Sequence, residues 1–175
     1  MENRPEVYII SGPPGAGKST ASILLSEKYE KSAVIEGDMV YLMVRKGNVA
    51  PWLDDGTYVS LFLENVLALT DNFLRRGITV IIDYVLFPHH MDIIKEHYRY
   101  TETVLKYAVL LADEKTVRYR DSLRPEIERC GETALMSLSE FRGKSIDPRF
   151  IIETEDMAPD RIVDEINRSN RFVFE

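Results

Sequence analysis

Gly12-Pro13-Pro14-Gly15-Ala16-Gly17-Lys18-Ser19-Thr20 follows directly on the apolar run Val7-Tyr8-Ile9-Ile10 and fits the spacing G-x-x-x-x-G-K-[ST], the Walker A pattern. Its chemistry is that of a phosphate-binding loop. Glycines let successive backbone N–H groups turn inward around an anion, and a helix beginning near Lys18 adds the positive end of its dipole. Lys18 would reach the β and γ phosphates of a nucleoside triphosphate, and the Ser19 hydroxyl would ligate Mg²⁺. A glycine turn between strand and helix, without a ligand, explains neither Lys18 nor Ser19.

Outward from that loop, strands and helices alternate. Residues 6–11 read as a strand, and Lys18 to about Tyr29 has helix-compatible spacing at Ala21, Leu24 and Leu25. Ser32 to Glu36 is a second strand, punctuated by Gly37-Asp38 before the apolar stretch Met39 to Val44. A long helix follows Asp55-Gly56-Thr57, with apolar positions at Val59, Phe62, Leu63, Val66 and Phe73, and ends at Arg75-Arg76-Gly77. Ile78 to Asp83 is a β-branched run without alternation, the pattern of a strand buried on both faces of a parallel sheet. Pro88 opens a helix to about Arg99, Thr103 to Leu111 reads as a fourth strand, and Glu114 to Leu123 as a helix halted by Pro125. A short helix around Ala134 to Phe141, a fifth strand at Phe150 to Ile152 and a last helix opened by Pro159 complete the order. Phe172-Val173-Phe174 is open between an edge strand and a docking tail. Such alternation predicts an α/β fold in three layers, a parallel sheet of five strands with helices on both faces and ligands at the carboxyl ends of the strands. The loop, Asp38 and Asp83 all fall at those ends.

At 175 residues the chain suits a single domain, 1–175, with a core that needs no disulfide or metal. Cys130 is its one cysteine, which fits a reducing cytoplasm, and with no recognisable base beside it reads as an incidental thiol. No signal-peptide layout or apolar run near the roughly 18 residues of a membrane span is present, so a soluble cytoplasmic protein is expected. Asp and Glu number 29 against 22 Lys and Arg, and a net charge of −7 disfavours long-range attraction to a polyanion.

Phosphoryl transfer needs the donor phosphates held, their charge neutralised and the acceptor oxygen placed in line. Lys18, Ser19 and the loop amides serve the first two needs. Asp38 is the candidate base for an acceptor hydroxyl, with a helix N-cap ahead of Met39 as its other reading. Asp83 could orient Mg²⁺ through water, bind Ser19 or touch the acceptor, or serve only as a turn carboxylate. Arg118, Arg120, Arg124 and Arg129 crowd one helix end and the loop after it; Arg120 and Arg124 share a face at i,i+4 and suit phosphate oxygens. A lid over about 118–143, closing on the nucleotide and excluding water, competes with a solvated face neutralised by Asp121, Glu126 and Glu128. His89, His90 and His97 form no zinc pattern and read as surface residues, while Tyr41, Trp52, Tyr58 and Phe62 line an acceptor pocket or pack a core.

Gly-Pro-Pro-Gly-Ala-Gly-Lys-Ser-Thr, Glu36-Gly37-Asp38, Ile81-Ile82-Asp83 and Arg120-Asp121-Ser122-Leu123-Arg124 come in the order used by the small P-loop kinases related to nucleoside monophosphate kinases. The chain resembles especially the gluconate kinases, polynucleotide 5′-kinases and chloramphenicol phosphotransferases. The resemblance implies an ATP donor, Mg²⁺, a sheet of order 2-3-1-4-5 and an arginine-bearing lid. By position it makes Asp38 the acid that activates the acceptor, Arg124 a lid arginine on the transferring phosphate and Arg120 a neighbour of adenine or phosphates. Glu36-Gly37-Asp38 and Pro51-Trp52-Leu53 are similar to gluconate kinases; the Arg-x-x-x-Arg spacing is similar to polynucleotide kinases. The leading expectation is therefore a kinase for a small-molecule hydroxyl, such as that of a sugar acid, acting as monomer or homodimer. A nucleic-acid end kinase and an ATPase or nucleotide switch without an acceptor are the alternatives; the absence of Asn-Lys-x-Asp argues against a GTP switch.

Overall fold

β1 (Glu6–Ser11) runs through the middle of a five-stranded parallel sheet in the computed structural model, which describes residues 5–47 and 49–175 and only the backbone of Trp52. β1 lies between β3 (Thr79–Asp83) and β4 (Val104–Leu111), β2 (Ser32–Glu36) pairs outside β3, and β5 (Ile151–Glu153) pairs outside β4. The order β2-β3-β1-β4-β5 is the one expected. Because side chains alternate across a strand, each central strand feeds two cores. Val7, Ile9, Val80, Ile82, Tyr107 and Val109 enter one, against α3 (Thr57–Leu74), α4 (Pro88–Tyr98) and α6 (Glu132–Gly143). Tyr8, Ile10, Ile81, Ala108 and Leu110 enter the other, against α1 (Lys18–Ser26) and α7 (Pro159–Arg168). α7 commits Ile162, Val163 and Ile166 to that second core, each worth about 1.5–3 kcal/mol when fully buried.

Several local boundaries differ from expectation. The first helix stops at Ser26, three residues short of Tyr29, and the stretch after β2 is only a five-residue helix, α2 (Gly37–Tyr41). Glu36 occupies the N-cap position of α2, so Asp38 lies inside the first turn and is not its cap. Phe150 belongs to a short 3-10 turn ahead of β5 rather than to the strand. The C-terminal segment is neither a full edge strand nor a loose tail. Val173 makes one antiparallel bridge to Lys106, the Phe174 N–H donates to Leu105 at 2.9 Å, and Phe172 is fully buried.

Charges at the amino ends of β1 and β4 are satisfied inside the fold. Lys106, almost wholly buried, donates to Glu6 at 3.1 Å and to the Tyr8 hydroxyl at 2.9 Å, while Tyr29 donates to Glu6 and Asn167. A paired ammonium in this position avoids the large desolvation cost of a lone buried charge. The cluster lies at the opposite edge of the sheet from the phosphate loop.

His90 is not an ordinary surface histidine. Its Nδ1 accepts the Phe87 N–H at 3.0 Å, closing the amino end of α4, and the ring is half-buried beside His89. Burial, then the charges of His89 and Lys144, push its pKa from 6.5 down to about 4. The unfolded chain therefore takes up a proton that the fold refuses. The stability His90 contributes is complete above about pH 6.5 and is lost as the pH falls from there toward about 4. His90→Asn, whose amide oxygen accepts the same N–H without titrating, should flatten the stability loss seen by chemical denaturation across that interval.

Candidate active site

No side chain fits at position 12. Gly12 has φ +136°, and a Cβ there would stand 2.1 Å from the Leu110 carbonyl oxygen of β4. The chain leaving β1 is thereby pressed against its neighbour strand as it turns into the loop. Ser11 fixes the start of that turn, accepting the Leu86 N–H at 2.9 Å and donating to the Leu86 carbonyl at 2.7 Å. Pro13 accepts the Ala16 N–H, and α1 begins at Lys18 behind Gly17, with Ser19 and Thr20 exposed in its first turn. The Lys18 ammonium donates to the Pro13 carbonyl at 3.2 Å across the loop. Burial lowers the Lys18 pKa, while the nearby Asp83 and Asp38 carboxylates oppose that shift.

Asp83 ends β3 in register with Ile10 of β1 and Glu36 of β2, which aims it at the loop. Its carboxyl pKa is raised by burial; Lys18 and a hydrogen bond from Ser19 pull the other way, and Asp38 and Glu36 add to the rise. Asp38 is exposed on α2, and Gly37 seats that helix. A Cβ at position 37 would meet the Tyr84 ring at 2.5 Å, so glycine lets α2 lie flush on the residue following Asp83. Tyr84 in turn packs on Phe62 with ring centres 4.3 Å apart and stacks on Tyr41. Tyr41, Phe62 and Tyr84 are thus a buried floor under α2 rather than an open pocket wall. Tyr58 donates to the Gly47 carbonyl at 2.8 Å, and the side chain of Trp52 lies outside the described residues.

The four arginines separate by partner. Arg118 is exposed and bridges Glu114 at 3.0 Å and Glu132 at 2.8 Å, joining α5 (Glu114–Ser122) to α6 on the solvent side. Arg129 donates to the Arg124 carbonyl at 3.0 Å. Arg120 donates through Nη1 to Ala16 O at 3.3 Å and to the Thr154 hydroxyl at 2.9 Å, and through Nη2 to Thr154 O at 2.8 Å. Thr154 is fully buried and itself donates to Ala16 O at 3.1 Å, so one guanidinium and one hydroxyl hold the outer side of the loop. Arg124 has no carboxylate partner among the described residues, and its charge acts on Lys18. Its Nη1 stands 4.0 Å from Cys130 Sγ.

Asp121 is not the solvated carboxylate of an open helix face. Buried on α5, it accepts the backbone N–H groups of Cys130 at 3.0 Å and Gly131 at 2.8 Å, folding residues 124–131 back toward the loop. Burial alone would raise its pKa; those two donors, and after them the charges of Arg124 and Arg129, outweigh it and the net shift is downward. Cys130 is consequently brought beside Arg124; burial raises its thiol pKa, and the charges of Arg124, Asp121, Asp38 and Lys18 also act on it. A cavity of about 350 Å³ opens beside Gly15, Ala16 and Gly17, bounded by Arg120, Leu123, Met157 and Ile162. The structure therefore groups Lys18, Ser19, Asp38 and Asp83, with the charge of Arg124 acting on Lys18, sets Arg120 and Arg124 on the wall of the cavity beside the loop, and leaves Arg118 outside. Thr154 and Cys130 are additions from tertiary structure. Thr154 was open to discovery only as the residue following a strand, where ligand sites of this architecture gather.

No protein-family model matches the chain, and neither does any curated protein sequence. Solved structures do. A sugar kinase from a Janibacter species has a TM-score of 0.66 at 14% identity, covering 99% of this chain and 100% of its own. The Mycobacterium tuberculosis APS kinase, solved with AMPPNP and APS, has a TM-score of 0.65 at 13% identity over 94% of this chain and 96% of that one. A gluconokinase from Sinorhizobium meliloti has 0.59 at 19% over 94% and 91%. The five-stranded sheet of order 2-3-1-4-5 with helices on both faces is the fold of these P-loop kinases.

Removing the Thr154 hydroxyl in Thr154→Val should weaken Mg·ATP-analogue binding about tenfold by calorimetry, and Arg120→Ala about 10- to 100-fold, as expected for neutral and charge-assisted bonds. Wild-type affinity in both would remove the clamp from the site. Because burial raises the Cys130 pKa, its alkylation by iodoacetamide should be slower at neutral pH than that of free cysteine and should slow further, several-fold, with Mg·ATP present. Equal rates with and without nucleotide, read by mass spectrometry, would put the thiol outside the cleft.

Proposed function

We propose that the protein transfers the terminal phosphoryl group of ATP to a hydroxyl group of a small molecule. The observation that carries this reading is the meeting of Lys18, Asp38, Asp83 and Arg124 at the carboxyl edge of the sheet, around a glycine loop whose carbonyls are tied back by Arg120 and Thr154. The base and ribose of the nucleotide take the cavity between Arg120 and Leu123 on one side and Met157 and Ile162 on the other. Its phosphates curve around the loop toward Lys18, leaving the γ-phosphate between Lys18 and Arg124. Two cations there balance charge that spreads over the phosphoryl oxygens during transfer.

Asp38 then has a task that simple hydrolysis would not require of this position. The acceptor hydroxyl gives its proton to Asp38 while its oxygen bonds to the γ-phosphorus, and the bond from that phosphorus to the bridging oxygen breaks. The products are a phosphate monoester and ADP, and Asp38 returns the proton to water. The segment 118–143, folded over by Asp121, acts as a lid that carries Arg124 and excludes water from the γ-phosphate.

The residues present suit Mg²⁺. Ser19 and Asp83 offer hard oxygen atoms side by side, and no group of three His, Cys, Asp or Glu fit to hold a metal ion by itself occurs among the described residues. An ion that keeps water and phosphate oxygens as its other ligands matches that sparse set. When bound, Mg²⁺ would be held by the Ser19 hydroxyl and, through water, by Asp83, and would neutralise phosphate charge.

Asp38→Asn keeps the shape of the side chain and removes the base. With γ-labelled ATP and a mixed panel of hydroxyl compounds, it should lower the transfer rate by about 10²- to 10⁴-fold while calorimetric affinity for Mg·ATP stays near wild type. Undiminished transfer would take Asp38 out of the reaction.

A further inference from the structure

The exposed face of α2 carries more than Asp38. Val40 and Tyr41 point into the core, so the outward positions are Asp38 and Met39, continued one turn later by Leu42 and Met43. Leu42 is tied to Asp38 by its N–H, which donates to the Asp38 carbonyl at 2.9 Å. Met39, Leu42 and Met43 are 60%, 49% and 66% exposed, an apolar strip that starts beside the candidate base. Isolated surface apolar residues mean little, but three large ones in a contiguous strip at a site edge mark a binding surface. Methionine, unbranched and polarisable, adapts to irregular apolar shapes.

Charge at the same place selects further. Asp38, Asp83 and Glu36 crowd this side of the cleft and act on one another, so a carboxylate or phosphate brought to Asp38 meets repulsion. The cations that could offset it, Lys18 and Arg124, face the nucleotide phosphates in the reading above. Arg45 and Lys46 follow this strip in the chain only after Met43 and Val44. Asp38 itself is exposed on α2, and a carboxylate is an acceptor for the proton of an uncharged alcohol.

We propose that the phosphate acceptor is an uncharged hydroxyl compound with an alkyl or aryl body, its hydroxyl held by Asp38 and its body lying on Met39, Leu42 and Met43. This rests on the kinase reading and narrows it, setting a sugar acid aside. In the transfer itself the acceptor loses one proton to Asp38 and gains the phosphoryl group that ADP leaves behind; no oxidant or further reactant enters.

The test pairs each head group bare, acidic and substituted: ethylene glycol, glycolate and phenylethanediol; glucose, gluconate and octyl glucoside, the last below its micelle concentration. An oligonucleotide with a free terminal hydroxyl is the polyanionic member. With γ-labelled ATP and the full chain, the substituted neutral member of a set should have kcat/KM at least about tenfold above its partners. Met39→Ser and Leu42→Ser, both at exposed positions, should raise KM for that acceptor about tenfold with little change in kcat, and Leu42→Met should restore it. Preferred transfer to glycolate, gluconate, a bare alcohol or the oligonucleotide would overturn this proposal and leave the kinase reading standing. Label in no compound, with Mg·ATP bound, would overturn both. A stable dimer in sedimentation that Leu42→Ser dissociates, with acceptor KM unmoved, would assign the strip to a second copy of the chain and overturn this proposal alone.

Discussion

The contact between Gly12 and the Leu110 carbonyl is the constraint from which the cleft follows. Only a residue without a Cβ lets the end of β1 press against β4 while turning through a positive φ. That turn sets the direction of the loop, and α1 starts at Lys18 beyond it. The Ala16 carbonyl, inside the loop, then needs a partner from elsewhere in the fold. Arg120 and Thr154 meet that need from two different parts of the chain, one from α5 and one from the residue after β5.

Electrostatics divides the molecule into two ends. At the amino edge of the sheet the charges are closed on themselves: Glu6, Lys106, Tyr8, Tyr29 and Asn167 satisfy one another within the fold. At the carboxyl edge they are left open. The pKa of Asp83 is raised by burial, that of Lys18 is lowered by it, and Arg124 makes no ion pair among the described residues.

The segment from α5 to α6 shows how one buried carboxylate can place several others. Asp121 stands in the middle of an arginine-rich stretch and, judged by composition, is one more charge on a solvated helix. Its two backbone acceptor bonds turn it into the fastening of a loop, and the loop carries Arg124 and Cys130 to the cleft. Arg118, inside α5, is spent on surface pairs with Glu114 and Glu132. Arg124 lies past the end of that helix at Ser122, and the turn fastened by Asp121 places it.

Alternation of apolar runs with helical spacing, and glycines at fixed intervals before Lys18, were enough to determine the layers, the five strands and the loop, because those features arise from periodicity and local backbone freedom. Asp83 at a strand end was legible for the same reason. The α2 boundary was not: whether Asp38 caps a helix or stands within its first turn depends on Gly37 packing against Tyr84, a contact between residues 47 positions apart. Thr154 beside Ala16, Cys130 beside Arg124 and His90 closing α4 were equally hidden, since each depends on where a helix face or a strand end comes to rest against another element. Local chemistry wrote the loop into the order of residues; the partners that hold it, and the charges that surround it, came only from packing distant segments against one sheet.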